Sequence, residues 1–150
     1  MRATLRTIGI VAVAFLVVAQ FARIDRTNPP VESDIPAPTN VKVALRAACY
    51  DCHSNQTVWP WYSHVAPMSW LLAYDVLEGR EELNFSTWQR YDAGKQQKKL
   101  KKSVEEMNEG EMPPWFYTMM HPPARLADAD RQAIISWASA GSTNVSSSGE

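Results

Sequence analysis

The residues best suited to chemistry are two cysteines and a histidine in the pentapeptide Cys-Tyr-Asp-Cys-His at residues 49–53. Their spacing matches C-x-x-C-H, the attachment motif for c-type haem. At the end of a helix, positions i, i+3 and i+4 share one face, so two thiols can add to the haem vinyl groups while the imidazole reaches the iron from the same side. The motif predicts one covalently attached haem c, with Cys49 and Cys52 as thioethers and His53 as the proximal iron ligand.

Three other roles for this motif fit less well. A thioredoxin-like redox pair is expected in a βαβ setting, and the sequence has no strand pattern. A zinc site needs four ligands, which two cysteines and three histidines supply only in a contrived Cys2His2 arrangement. A simple disulfide leaves His53 without a role. The basic and apolar residues at the start of the chain, described below, have the character of an export signal. They favour haem, because covalent haem is attached on the far side of the membrane.

A six-coordinate haem needs a second axial ligand, and Met112 is the strongest candidate. It stands in Gly-Glu-Met-Pro-Pro, where Pro113 and Pro114 fix φ and remove two N–H donors. The thioether is therefore held in extended, non-helical chain. His121 is the main alternative, in a similarly irregular stretch, and His64 is a weaker one. A sixth position that is open or bound to water is the remaining alternative.

Three further residues are candidate haem contacts. Trp59 and Trp115 flank the ligand segments, and an indole N–H can hydrogen-bond a haem propionate. Arg80 can pair with a propionate, or it can cap the end of the helix that contains it. Most of the six tryptophans are expected in the core, because a domain near 100 residues must bury large rings to be stable.

The first 24 residues are predicted to form a transmembrane helix that acts as an uncleaved signal anchor. Arg2 and Arg6 precede residues 8–19, which carry no charged side chain, and the apolar stretch through Ile24 approaches the roughly 20 residues that span a bilayer. A cleaved signal peptide is the alternative, although no convincing small-x-small site precedes Arg23. The positive-inside rule places the N-terminus in the cytoplasm and the rest of the chain outside.

Composition divides the remaining chain into three parts. Residues 25–39 are rich in proline, which predicts a semi-rigid spacer. Residues 40–141 carry only helical patterns and are predicted to form the haem-binding domain. Residues 142–150 are mostly Ser, Gly, Thr and Asn and are predicted to be disordered. Within the domain, Gly110 is a predicted helix C-cap, and helices are predicted over residues 40–49, 69–79, 95–108 and 128–141.

The charge pattern excludes one class of function and indicates a type of partner. The chain has 15 Lys and Arg against 16 Asp and Glu, for a formal net charge of −1, which argues against general nucleic-acid binding. Five lysines cluster within residues 95–102. They form either a solvated helical face or a docking patch for an acidic redox partner or anionic headgroups.

A helix, C-x-x-C-H, a later Met-Pro and a terminal helix follow one another in the order found in small cytochromes c. More narrowly, the sequence is similar to the membrane-anchored haem-binding domain family of bacterial cytochrome c-like proteins. The resemblance covers about residues 27–138, and it is carried by residues 49–54, 59–63, 66–67, 69–70, 79–80, 83–86, 88, 112–114, 121–122 and 124.

The resemblance implies an all-α fold, a small cytochrome c-like helical haem domain behind one N-terminal transmembrane helix. It also implies covalent haem c with His53 as the proximal ligand. Both Met112 and His121 belong to the family pattern, so the resemblance does not separate the two candidates. It fixes no physiological reaction, because the family is itself defined by haem binding.

Two hypotheses for the function follow. The first is a mono-haem c-type cytochrome anchored by its N-terminal helix in the bacterial inner membrane, with the haem domain in the periplasm. Such a protein is not an enzyme and passes single electrons to redox partner proteins. The second is a haem-based sensor, a small-ligand binder or a peroxidase-like enzyme, each of which needs an open distal site. A methionine ligand in a proline-fixed loop favours the first.

Overall fold

A computed structural model describes residues 2–22 and 24–143, and all regular structure in these ranges is helical. This confirms the all-α prediction. The disorder predicted for residues 142–150 falls almost wholly outside the described residues. Short 3₁₀ turns occur at Trp61–His64, Phe85–Arg90 and Pro122–Ala124. The α-helices of the described part are α1 (Arg2–Ala19), α2 (Thr39–Ala48), α3 (Tyr50–His53), α4 (Met68–Glu82), α5 (Ala93–Glu109), α6 (Trp115–Met120) and α7 (Asp128–Thr143).

The prediction of a transmembrane helix over residues 1–24 is wrong. Among the described residues, no helix is both long enough and apolar enough to cross a membrane. The 18 residues of α1 end at Ala19, so the helix extends about 27 Å. The chain turns at Gln20 and Phe21, and the Gln20 side-chain carbonyl accepts a hydrogen bond from the Ala66 N–H at 3.0 Å. This turn interrupts the apolar stretch that the sequence suggested was one helix.

The core of the domain lies where α7 packs against α2 and α5. Each of these helices buries one apolar face, as the helical spacing of its apolar residues requires. Tyr50, Phe85 and Trp88 extend the same core toward the C-x-x-C-H motif. The buried helix residues are Val41, Ala44 and Leu45 of α2, Leu100 and Met107 of α5, and Ile134 and Ala138 of α7.

The proline-rich segment predicted to be a spacer packs against the domain. Ile35 is fully buried in the core. The Pro30 carbonyl accepts a hydrogen bond from the Asn55 side chain at 2.8 Å. We call residues 28–35 the strap, because they cross the chain that leaves the C-x-x-C-H motif.

Of the three glycines predicted to end helices, one does so and two lie inside their helices. Gly110 has a φ of 81° and forms the left-handed C-cap of α5, as predicted. Gly79 and Gly141 lie inside α4 and α7, so these helices run beyond their predicted ends. Gly79 is buried, because a second element approaches the helix closely at this position.

Candidate functional site

The C-x-x-C-H residues lie where the chain passes from α2 into the single turn α3. The Cys49 N–H donates to the Leu45 carbonyl at 2.8 Å, and the His53 N–H donates to the Cys49 carbonyl at 2.9 Å. Helical hydrogen bonding therefore continues through the motif. The side chains of Cys49, Cys52 and His53 have the i, i+3, i+4 relationship that places them on one face.

His53 is oriented by two backbone carbonyls at the end of α4. Its Nδ1 lies 2.8 Å from the Gly79 oxygen and 3.1 Å from the Leu83 oxygen. Because carbonyl oxygens only accept, Nδ1 carries the proton and Nε2 of the neutral ring keeps its lone pair. Burial lowers the pKa of His53, and this effect outweighs the two carbonyls, which by themselves would raise the pKa. The neutral form of the ring is therefore favoured. Histidines that ligate metals are held in the same way through their other nitrogen.

Gly79 allows α4 to approach the motif closely. A Cβ atom placed on Gly79 would lie 2.7 Å from the Cys52 carbonyl oxygen, closer than non-bonded atoms tolerate. Because Gly79 has no side chain, α4 can lie close enough to the motif for the Gly79 and Leu83 carbonyls to contact His53. A glycine inside a helical pattern often has a packing reason. The sequence pattern predicts a helix end at Gly79 instead, so it does not reveal this role.

The two thiols do not form a disulfide with each other, and neither has a lowered pKa. Burial raises the pKa of Cys49 to about 12. Burial, with the nearby charge of Asp75, also raises the pKa of Cys52 to about 12. Reactive cysteines of disulfide oxidoreductases have lowered pKa values, because the thiolate is the nucleophile. The environment of these thiols therefore does not favour a thioredoxin-like role.

A buried set of polar side chains fixes the chain after His53. The Ser54 hydroxyl donates to the Tyr50 carbonyl at 2.7 Å. The Asn55 N–H donates to the Ser86 hydroxyl at 3.0 Å, and the Asn84 side-chain amide donates to the Asn55 side-chain carbonyl at 2.8 Å. These bonds join the motif to the segment that follows α4, so the direction in which the chain leaves the motif is set.

Arg80, a candidate propionate contact, has its guanidinium hydrogen-bonded to neighbouring parts of the chain. It donates to the Ser54 carbonyl at 2.9 Å, to the Thr57 hydroxyl at 3.0 Å and to the side-chain oxygen of Asn28 at 2.7 Å. The guanidinium thus links α4 to the loop after the motif and to the strap. These partners indicate a positioning role for Arg80.

The two candidate tryptophans have different surroundings. The Trp59 Nε1 atom is buried and has no hydrogen-bond partner among the described residues. A buried indole N–H normally has a partner, and a propionate oxygen would satisfy it. Trp115 is 73% exposed, and its ring lies edge-on to Phe116 with 6.0 Å between the ring centroids.

Met112 and His64, two candidates for the sixth iron ligand, differ in burial. Met112 is half-buried and packs against the core cluster, which Cys49 also contacts. Its N–H donates to the Glu106 carbonyl at 3.2 Å, which ties the Met-Pro-Pro segment to the end of α5. His64 is exposed at the end of its 3₁₀ turn.

His121, the remaining candidate, belongs to a cluster that the sequence analysis missed. Its Nδ1 lies 2.8 Å from the Tyr62 hydroxyl oxygen, and its ring stacks on Tyr117 at 4.3 Å between centroids. The Tyr117 hydroxyl donates to the Asp51 carboxylate at 2.7 Å. We call Asp51, Tyr62, Tyr117 and His121 the tyrosine–histidine cluster. The only sequence signal was the position of Asp51 between the two cysteines.

The zinc alternative has no assembled site in the part of the chain that the structure describes. No group of three or more His, Cys, Asp and Glu side chains comes together there in a way that could hold a metal ion. The motif residues instead fit a haem. They present two thiols and a neutral imidazole whose Nε2 is available, and the buried indole N–H of Trp59 has no partner among the described residues.

Comparison with known proteins decides the family. The sequence model of the haem-binding domain family matches residues 14–140, which is most of the chain. The chain belongs to the haem-binding domain family. No curated protein and no solved structure matches it significantly. The resemblance to a haem-binding domain family is thereby confirmed, although the match does not show membrane anchoring, and the chain is a haem-binding protein.

Proposed function

We propose that this haem-binding protein holds one haem c covalently through Cys49 and Cys52, with His53 as the proximal iron ligand, and that it carries single electrons. The observation that supports this most strongly is the pair of carbonyls on His53 Nδ1, which leaves Nε2 to bind iron. A bound haem supplies a one-electron iron couple. The chain attaches the haem, orients the proximal imidazole and surrounds the attachment site with buried residues.

We propose Met112 as the sixth ligand. It is half-buried and packs against the same core cluster as Cys49. Thioether sulfur is a soft, neutral ligand that favours ferrous iron and therefore a higher reduction potential than a second imidazole gives. A closed His/Met site suits an electron carrier better than an enzyme or a sensor, because those functions need an open iron position.

An acidic redox protein is the proposed partner. Its proposed docking surface is the lysine face of α5, which consists of Lys95, Lys98, Lys99, Lys101 and Lys102. Lys102 pairs with Glu82 at 2.9 Å, and the Lys99 ammonium donates to the Glu82 carbonyl. Glu82 immediately precedes Leu83, whose carbonyl contacts His53 Nδ1. The lysine face is therefore near the proximal side of the proposed haem site, where a short electron path is useful. Covalent attachment of haem also implies a location outside the cytoplasm, as expected for the periplasm.

Covalent attachment is tested by denaturing electrophoresis followed by haem staining. Haem is expected to stay with the wild-type chain, because two thioether bonds survive unfolding. Cys52→Ala is expected to reduce the yield of holoprotein sharply, whereas Ser142→Ala, on α7, serves as a control and keeps it. Release of free haem from the wild-type chain would contradict the proposal.

The sixth ligand is tested by optical spectroscopy and redox titration. Met112→Ala is expected to lose the weak near-infrared sulfur-to-iron band, to lower the potential and to let carbon monoxide or cyanide bind. Met119→Ala is the matched control, because Met119 is exposed on α6. If Met112→Ala keeps the wild-type spectrum and His121→Ala changes it, His121 is the ligand. Immediate ligand binding by the wild type would instead support the sensor or peroxidase-like alternative.

A further inference from the structure

The ring of His121 is held on its edge and on its face by two tyrosines. The Tyr62 hydroxyl oxygen lies 2.8 Å from Nδ1, and the Tyr62 ring meets the imidazole edge-on at 5.7 Å between centroids. The Tyr117 ring stacks on the imidazole with an interplanar angle of 19°. Rotation of the imidazole would therefore break a hydrogen bond and a stacking contact together.

Tyr117 is itself anchored in the haem-attachment turn. Its hydroxyl donates to one oxygen of the Asp51 carboxylate at 2.7 Å, and the other oxygen accepts the Val58 N–H at 2.9 Å. Asp51 stands between Cys49 and Cys52 in the motif. The tyrosine–histidine cluster is therefore attached directly to the turn that would carry the haem.

The backbone of His121 is held as firmly as its ring. Its N–H donates to the Tyr117 carbonyl at 2.9 Å, and its carbonyl accepts the Ala124 N–H at 3.0 Å. These two bonds fix the end of α6 and the 3₁₀ turn that follows it. The backbone position of His121 is therefore fixed, and its side chain is what the two tyrosines orient.

The Tyr62 contact also selects one tautomer of the imidazole. A phenol is a stronger hydrogen-bond donor than a neutral imidazole N–H, and an imidazole nitrogen is the better acceptor, so the Tyr62 O–H donates to Nδ1. A neutral histidine has only one N–H, so the proton of His121 lies on Nε2. His53 has the opposite tautomer, because both atoms on its Nδ1 are carbonyl oxygens.

We propose that Tyr62 and Tyr117 position His121 as its Nε2–H tautomer and thereby keep it from binding iron, which reserves the sixth position for Met112. This inference rests on the proposed function. Tyr62 and Tyr117 act here as positioning residues through His121. The Tyr62 hydrogen bond occupies the lone pair of Nδ1, and the proton on Nε2 leaves that nitrogen without a lone pair for iron.

The first test reads the tautomer directly in the wild-type holoprotein. In ¹⁵N NMR spectra of the reduced protein, His121 is expected to show a protonated Nε2 and an unprotonated Nδ1. Tyr62→Phe removes one hydrogen bond, which corresponds to a change of about five- to tenfold in the ratio of the two tautomers. Tyr74→Phe, at an exposed position on α4, is the control and leaves the ratio unchanged.

The second test follows the iron ligand in the same variants. Tyr62→Phe is expected to weaken the near-infrared sulfur-to-iron band, because the released imidazole competes with Met112. The double variant Tyr62→Phe/His121→Ala is expected to recover the band fully, which a general loss of folding cannot do. Tyr74→Phe keeps the wild-type band.

Each contrary outcome has a distinct meaning. A wild type that has the sulfur-to-iron band but carries the His121 proton on Nδ1 overturns this inference and leaves the proposed function standing. An unchanged band in Tyr62→Phe also overturns it. A wild type in which His121 binds the iron overturns both the inference and the proposed Met112 ligand.

Discussion

At the scale of single residues, the orientation of His53 depends on Gly79 of α4, because only a residue without a side chain lets the helix come this close to the motif. A methyl group at Gly79 would meet the Cys52 carbonyl at 2.7 Å, so the helix and the motif would have to separate. Gly79→Ala is expected to cost about 1–3 kcal/mol in the free energy of unfolding, as overpacked cores do. It is also expected to lower the yield of holoprotein, because the Gly79 carbonyl would leave His53 Nδ1.

The matched control for this prediction is Gly94→Ala in α5. A Cβ atom there meets only the Asp92 side chain, at an ordinary 3.4 Å. Alanine is a better helix former than glycine by up to about 1 kcal/mol, so this variant is expected to be as stable as the wild type or slightly more stable. Urea unfolding of both variants is the measurement. Equal stability of Gly79→Ala and Gly94→Ala would show that the close approach is unimportant.

At the scale of elements, the strap is expected to stabilise the domain through Ile35. Because Ile35 is fully buried, Ile35→Ala removes packed methyl groups and is expected to cost about 2–5 kcal/mol. Val31 lies in the same strap but is 50% exposed, so Val31→Ala is the control and is expected to cost about 0.5 kcal/mol or less. Urea unfolding measures both. Similar small losses would mean that the strap is only a spacer.

Asp34 joins the strap to α2 and α3, and this contact predicts a pH dependence. Its carboxylate pairs with Lys42 at 2.8 Å and accepts the Tyr50 hydroxyl at 2.5 Å. Burial by itself would raise the pKa of Asp34, but these partners hold it below the ordinary value of 3.8. A lowered pKa in the folded state gives stability that is present above pH 3.8 and is lost as the pH falls through the folded-state pKa.

Asp34→Asn is therefore expected to cost about 1 kcal/mol near pH 7, a modest value because solvent screens a partly exposed pair. The difference from the wild type is expected to shrink below pH 3.8. Glu111→Gln, at an exposed position, is the control. Urea unfolding at several pH values is the measurement, and a difference that stays constant down to pH 3 would contradict the assigned pairing.

The elements show which parts of this molecule can be predicted from sequence. The C-x-x-C-H motif and the helices around the core are visible because their signals are local and periodic. The bond between Tyr62 and His121 spans 59 residues, and no local pattern encodes it. Prolines in the strap predict extended chain, but they do not show whether that chain packs on a core. The strap packs on the core through Ile35, which is fully buried. A single buried residue near prolines produces no periodic pattern, so the sequence does not reveal this contact.

At the scale of the whole molecule, α1 is the part least integrated with the rest. Its side chains from residue 4 to residue 18 are exposed, and only Ala19 is buried. The hydrogen bonds between Gln20 and Ala66 tie its end to the domain. The apolar stretch behind Arg2 and Arg6 predicts a transmembrane helix, because its hydropathy does not show where the helix ends. In the structure, α1 ends at Ala19.

Removal of α1 is therefore expected to leave the stability of the haem-binding domain unchanged. A chain of residues 20–150 keeps Gln20 and its contacts, so its free energy of unfolding is expected to stay within about 0.5 kcal/mol of the full chain. Contiguous exposed apolar patches beyond a few hundred Å² promote association, so the shorter chain is also expected to self-associate less in aqueous buffer. Urea unfolding and sedimentation velocity are the measurements, and Phe15→Ser in the full chain is the control that keeps the length. A large loss of stability in the shorter chain would mean that α1 packs against the domain more extensively than Ala19 and Gln20 provide.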